Sequence, residues 1–172
     1  MAKEIEVKFE VQDFESVRRA LRKLGGRCGW GGREESTIFD TTRRALKSRG
    51  EALRIKTEDG RNALLTFKGP KTKKGKFKVR EEIETSLESS AAGEMILKRL
   101  GFEEQLRYTK RREHWELGKS SVELDTLLGH RFVEIEGTKQ SIKEIARLLH
   151  LDWARSSIES YYPDVLRRLQ KK

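Results

Sequence analysis

The feature that most restricts this chain is the alternation at its start, Glu4-Ile5-Glu6-Val7-Lys8-Phe9. Glu4, Glu6 and Lys8 project to one side, and Ile5, Val7, Phe9 and Val11 to the other. A period of two is the signature of a β-strand with one charged and one apolar face. The Glu-Ile-Glu pattern returns at Glu82-Ile83-Glu84 and at Glu134-Ile135-Glu136, each time with an amphipathic helical pattern a few residues on. One such strand alone reads as a sheet strand with its charges in water. Its recurrence asks where all the charged faces go.

The remaining segments repeat the pattern. Strands are expected over 36–41, 52–57, 63–68, 76–85, 108–117, 121–126 and 131–136, with turn signals at Glu58-Asp59-Gly60 and Leu127-Leu128-Gly129. Between them, Gly29-Trp30-Gly31-Gly32 reads as a flexible connection, 42–50 as a basic loop or turn, and 69–75 as a basic hairpin loop. Four helices are expected. One follows an Asp13 cap and carries Val17, Leu21 and Leu24. One follows Ser89 or Ser90. One starts at a Ser141/Glu144 capping box, and a terminal one starts near Pro163.

Each helix must bury its apolar stripe, and the apolar face of the strands is the only large surface offered. The residues therefore read as α+β, with helices on the apolar face of about eight strands in one domain over 1–172; if the sheet closes, it is an eight-stranded antiparallel β-barrel, a tunnel with a charged lumen and helices packed outside. Closure removes the sheet edges. An open sheet with its charges in solvent satisfies the same periodicity.

Composition narrows the function classes. The net charge is +10, which favours polyanionic partners. The one cysteine, Cys28, can make neither an internal disulfide nor a zinc cage, and no apolar run approaches a bilayer span. A cytoplasmic protein without a membrane partner is expected. The luminal parity collects Lys8, Arg54, Lys56, Lys68, Arg80, Lys110 and Arg112 with Glu4, Glu6, Glu82, Glu84, Glu123, Asp125, Glu134 and Glu136. Arginine forks and lysine points match phosphate oxygens. Clustered carboxylates without Cys suit hard cations such as Mg²⁺ or Mn²⁺. The plain alternative is a set of cross-strand ion pairs, each contributing ~0.2–1 kcal/mol. No Gly-rich phosphate loop is present. Trp30 and Trp153 could stack a base, with packing the simpler reading; His114 lies on the luminal parity and could shuttle protons, with a strand-end surface residue the simpler reading, and Trp115 reads as core.

Glu4-x-Glu6-x-Lys8, Arg54-x-Lys56, Thr66-Phe67-Lys68-Gly69-Pro70, Arg80-Glu81-Glu82-Ile83-Glu84, Lys110-x-Arg112-x-x-Trp115, Glu123-Leu124-Asp125 and Glu134-Ile135-Glu136 occur in the order seen in the CYTH superfamily. This chain resembles that superfamily, the triphosphate tunnel metalloenzymes, which include class IV adenylyl cyclases and thiamine triphosphatases. Ser160-Tyr161 followed by Leu166 is similar to the tail of its cyclase-like branch. The resemblance implies an enzyme that binds a triphosphate through Lys8, Arg54, Lys56, Lys68, Arg80, Lys110 and Arg112. It implies metal ligation by Glu4, Glu6, Asp125, Glu134 and Glu136, with Glu82, Glu84 and Glu123 as further candidates. Glu4, Glu6, Lys8, Arg54 and Arg112 would be catalytic. Lys56 stands where many members have arginine.

Three functions follow as expectations: divalent-metal-dependent hydrolysis of a phosphoanhydride bond in a nucleoside, thiamine or inorganic triphosphate; class IV adenylyl cyclisation of ATP to cyclic AMP and pyrophosphate; and non-catalytic binding of a polyanion such as RNA. The last is weakened by the lack of aromatics interleaved on the charged strands. A homodimer is left open beside a monomer.

Overall fold

The computed structural model describes residues 3–157, positions 73 and 74 by backbone only. Among the described residues there are ten strands: β1 (Lys3–Val11), β2 (Arg27–Thr41), β3 (Ala52–Glu58), β4 (Arg61–Lys68), β5 (Thr72–Lys74), β6 (Phe77–Leu87), β7 (Phe102–Leu117), β8 (Ser120–Leu127), β9 (His130–Glu136) and β10 (Ser156–Ser157). Four helices accompany them: α1 (Glu15–Lys23), α2 (Ala45–Ser48), α3 (Ser90–Arg99) and α4 (Lys139–Leu148). All strand pairings are antiparallel.

The strand order β1-β9-β8-β7-β2-β3-β4-β6 returns to β1, so eight strands form a closed barrel. β1 closes the ring: it pairs with β9 along Glu6–Val11 and with β6 along Lys3–Glu6. β10 continues on the β6 side of β1, opposite Lys8 and Phe9. β5 lies beside the first residues of β6.

Two apolar layers hold the helices outside. α1 and α4 place Val17, Leu21, Ile142, Ile145 and Ala146 against Val7, Phe9, Val122, Leu124, Val133 and Ile135. α3 places Leu97 against Phe39 and Ile55 on the far side, flanked by Leu53, Leu65, Leu87 and Phe102. Trp115 is buried in the larger layer, and Trp153 packs edge-on against Phe9 and Phe77. With the outward face of every strand apolar at these layers, the opposite parity must point inward.

Several boundaries differ from expectation for identifiable reasons. The glycine run 29–32 is strand, because β2 pairs with β7 back to Arg27, with an irregularity between Cys28 and Trp30. For the same reason β7 begins at Phe102, where the sequence alternation is weak. The 42–50 segment contains α2, whose first backbone N–H groups donate to the Asp40 carboxylate (Leu46 N, 2.9 Å; Lys47 N, 2.9 Å). The 69–75 loop contains β5. α4 starts before the expected capping box: Thr138 is the cap, its hydroxyl accepting from Ser141 N at 3.1 Å. Ser89 does cap α3. The expected helix from Pro163 and the Ser160-Tyr161…Leu166 tail lie outside the described residues. No helix among the described residues is long and apolar enough to cross a membrane.

Candidate active site: a charged tunnel

The barrel encloses a cavity of about 1330 Å³. Its wall carries Glu4, Glu6, Lys8, Arg54, Lys56, Lys68, Arg80, Glu82, Glu84, Lys110, Arg112, Glu123, Glu134 and Glu136. All the residues expected on the charged face are therefore brought to one lumen, except that Asp125 lies just beneath it. Cross-strand register explains the meeting: Glu6 stands opposite Glu136, Lys8 opposite Glu134, Glu123 opposite Glu134, Lys68 opposite Glu82, and Arg112 opposite Asp125.

One part of the wall is rich in acids. Lys68 Nζ bridges Glu4 (3.1 Å) and Glu82 (2.6 Å), and Lys78 pairs with Glu6. Lys56 lies 3.7 Å from Glu84, whose carboxylate also accepts from Thr66 Oγ1 at 2.8 Å. Lys8 lies 3.5 Å from Glu134. Glu136 has no ion-pair partner among the described residues, and burial together with Glu4, Glu6 and Glu82 pushes its carboxyl up to about 7. Burial and a hydrogen bond with Glu82 likewise raise Glu4.

Elsewhere two buried acids brace the cations. Asp125, fully buried, receives Arg112 in a fork (Nε to Oδ1 and Nη2 to Oδ2, both 2.6 Å) and Lys110 Nζ at 3.0 Å. These cations hold its carboxyl well below the usual range against the opposing effect of burial. Glu34, also fully buried, lies 3.3 Å from Lys110 and 3.7 Å from Arg112. Burial works against its charge, but Lys110, Arg112 and Arg54 hold it at about 2. Arg80 spends Nε and Nη2 on the Gly69 carbonyl (3.0 and 2.6 Å). Arg54 keeps a buried Nε with no hydrogen-bond partner.

Lys78, Glu34, Tyr108 and Lys71 belong to this site or its supports and are absent from the expected ligand set. Lys78 shares the luminal parity of Arg80 and was legible. Tyr108 begins the expected strand 108–117 on the parity of Lys110 and Arg112 and was legible too, whereas Glu34 becomes legible only when β2 is extended back beyond Ser36. Lys71 comes from the β4–β5 loop, which no periodicity places; burial, then Lys78, Arg80 and Lys8, push its amine down to about 8. His114 is not a plain surface residue: it lines the cavity, and its Nδ1 lies 2.7 Å from Glu123 Oε1, which raises its basicity. Trp30 also lines the cavity instead of packing in a core.

Chemically, the lumen is two interleaved sets that neutralise each other. An anion of several phosphates can take the ammonium and guanidinium groups from the carboxylates, and a hard cation can take the carboxylates released.

Comparison with known proteins agrees with this architecture. A protein of Methanocaldococcus jannaschii, named as a candidate adenylate cyclase, is 35% identical over 147 residues, covering 85% of this chain and 83% of that one. A crystal structure from Vibrio parahaemolyticus, also titled as a candidate adenylate cyclase, superposes with a TM-score of 0.83 at 21% identity over 95% of this chain and 97% of the other. A Hippeastrum structure, titled as a candidate adenylyl cyclase with a dominant triphosphatase activity, gives a TM-score of 0.70 at 16% identity over 97% and 96%. The CYTH domain model matches residues 2–160, and with the closed tunnel in place, this chain belongs to the CYTH domain family.

Proposed function

We propose that the protein is an enzyme that binds a triphosphate with a divalent metal ion in its tunnel and hydrolyses a phosphoanhydride bond. The observation that carries this reading is the buried, unpartnered Nε of Arg54 on a wall already lined by Lys56, Lys68, Lys110 and Arg112. A buried N–H donor without an acceptor is costly, by about 1–3 kcal/mol, and a phosphate oxygen removes that cost.

The metal fits the donor chemistry. The acids are all carboxylates, the hard oxygen ligands of Mg²⁺ or Mn²⁺. Glu136, without an ion pair, faces the charges of Glu4, Glu6 and Glu82, which is the excess of negative charge a divalent ion offsets. Among the described residues no group of three acids has already converged on a ligating geometry, because lysines occupy the Glu4, Glu6 and Glu82 carboxylates. Glu4, Glu6, Glu134 and Glu136 would hold the ion, with Glu82, Glu84 and Glu123 at its margin; Asp125 fits better as the brace of Arg112 and Lys110. When bound, the ion neutralises phosphate oxygens and the charge that develops on the leaving group.

This chain's own residues do the rest. Arg54, Arg112, Lys110, Lys56, Lys68 and Lys8 fix the phosphate chain so that the attacked phosphorus cannot wander, and they stabilise its equatorial oxygens. The braces Asp125 and Glu34 keep Arg112 and Lys110 oriented before substrate arrives. Hydrolysis places water in line with the terminal phosphorus, and the bridging oxygen leaves with the diphosphate.

The second reading is adenylyl cyclisation, favoured by the name of the Methanocaldococcus jannaschii relative. There the ribose 3′-oxygen attacks the α-phosphorus and pyrophosphate leaves. Phosphorus NMR decides between them. ATP, tripolyphosphate and thiamine triphosphate are supplied separately with Mg²⁺ or Mn²⁺ and with an EDTA control. Orthophosphate marks the hydrolase, and cyclic AMP with pyrophosphate marks the cyclase. No turnover of any substrate with either metal refutes both.

A further inference from the structure

Among the described residues, α3 is the helix that turns an apolar face outward. The exposed side chains of α1 are Glu15, Ser16, Arg19, Arg22 and Lys23, and those of α4 are Lys139, Gln140, Lys143, Glu144 and Arg147, all polar. α3 instead exposes Ala91, Ala92, Met95 (61%) and Ile96 (60%), with Leu100 (68%) at its C-cap. Ile83, 50% exposed on β6, stands opposite the half-buried Phe67 of β4, a strand that α3 lies against. Large apolar side chains clustered in this way mark an interaction surface.

The fold does not need that face to hold α3. The inner face is already buried through Gly93 and Leu97. One flank is pinned to β7: Arg107 Nη2 donates to both Glu94 oxygens at 3.1 Å, while its guanidinium also bonds Glu35 and Glu104. At 3.6 residues per turn, Ala92, Met95 and Arg99 form the ridge opposite Leu97. Glu88 lies just ahead of the Ser89 cap, at the start of that ridge.

The ridge is complementary to itself when reversed. Set antiparallel against its own copy, Glu88 meets Arg99 and Ala92 meets Met95, so acid faces base and a small side chain faces a large one. A two-fold axis makes each of these pairings twice, and it opposes the two helix dipoles. The remaining segment of the chain, 158–172, is predominantly basic, with Arg167, Arg168, Lys171 and Lys172 against Glu159 and Asp164. It suits less well a ridge whose end carries Lys98 and Arg99.

We propose that α3 is a homodimer interface, occupied by α3 of a second copy of this chain running antiparallel about a two-fold axis. Met95 seats on Ala92 and Arg99 pairs with Glu88 across that axis, with Ile96 and Leu100 flanking the contact. This surface lies outside the barrel and is independent of the triphosphate reading. One helix ridge and its margin make an interface at the small end of the range, so the dimer should be concentration-dependent, with Kd on the order of micromolar.

The test is sedimentation velocity on the full chain at about 1 to 200 μM, with native mass spectrometry for composition. Wild type should pass from monomer to dimer over that range. Met95→Glu places a charge at the centre of the contact and should weaken the dimer more than about tenfold, while thermal melts of the dilute protein stay unchanged. Glu88→Arg and Arg99→Glu should each weaken self-association, because like charges then meet across the axis. An equal mixture of those two variants, which differ in mass, should recover a heterodimer, since both charge pairs are restored in it. A wild type that stays monomeric throughout overturns the proposal. So does a dimer that Met95→Glu leaves intact, or a mixture that forms no heterodimer. A fall in Tm of dilute Met95→Glu, with no dimer in the wild type, assigns the ridge to the chain's own residues 158–172 and overturns it equally.

Discussion

Replacing Glu34 with Gln tests whether the cations of the tunnel are braced from beneath. Glu34 is fully buried, 3.3 Å from Lys110 and 3.7 Å from Arg112, and Ser36 Oγ donates to it at 3.3 Å. Gln keeps the volume and the acceptor for Ser36, so the change removes charge and little else. The carboxyl is held at about 2 against an ordinary value of 4.5. At ~1.4 kcal/mol per pH unit, that difference corresponds to about 3 kcal/mol of stability at pH 7. Removing one partner of a buried pair costs about 3–5 kcal/mol, and Asp125 still compensates both cations, so the lower end applies. For a chain of this size about 3 kcal/mol lowers Tm by roughly 6–12 °C. The sign of the pH dependence follows from a depressed carboxyl. The contribution is complete above the unfolded value, is lost as pH falls toward the folded one, and should be roughly halved at pH 3. Urea unfolding of the wild type and Glu34→Gln at pH 7, 5, 4 and 3 measures this, with m compared to confirm the same unfolding reaction. Glu104→Gln is the control, since Glu104 pairs with Arg107 at the exposed surface and should change stability by less than about 1 kcal/mol. A Glu34→Gln deficit below about 1 kcal/mol at pH 7, or one that stays constant down to pH 3, refutes the bracing argument.

Three further outcomes are expected. Lys71, with its amine pushed down to about 8, loses charge as pH rises, so tripolyphosphate affinity should fall between pH 7 and 9 in the wild type and stay flat in Lys71→Arg; parallel profiles in calorimetry would remove Lys71 from the anion site. Gly93→Ala should destabilise by about 1–3 kcal/mol, although alanine is the better helix former by ~1 kcal/mol, because the new Cβ would stand 2.6 Å from Leu87 Cδ1 and 3.2 Å from Ile55 Cδ1. A gain in the urea midpoint would show that the layer under α3 yields freely. Thr138→Ala should cost about 1 kcal/mol in thermal melts while Glu144→Gln leaves Tm unchanged, since the cap of α4 is Thr138; the reverse pattern would restore the Ser141/Glu144 box.

The strands that carry both parities strongly were legible. Over 4–9 in β1, 122–125 in β8 and 133–136 in β9, charged and apolar residues alternate, and every inward assignment there holds in the tunnel wall or, for Asp125, just beneath it. β2 and β7 were legible only in part. Gly29, Gly31 and Gly32 have no side chain to report a parity, and the first half of β7 bears charges on both faces because Glu104 and Arg107 pair along the outside. That gap hid Glu34, and it made Trp30 look like a residue of a flexible link. α2 was hidden for another reason: its start is stabilised by the Asp40 carboxylate, which lies outside any recognised cap position.

Local alternation by itself determined that these strands have one charged and one apolar face, and that helices must cover the apolar one. It also placed the paired acids and bases on the charged face in the order of the CYTH family. Only the tertiary structure decided that the sheet closes, since closure rests on β1 pairing with β9 and β6 at once, a contact between the start of the chain and residues more than seventy positions away. Closure takes charges out of water, so their pairing and their distance from one another set their protonation. For that reason Glu34 sits at about 2 and Glu136 at about 7, although both are glutamates on inward-facing positions of antiparallel strands.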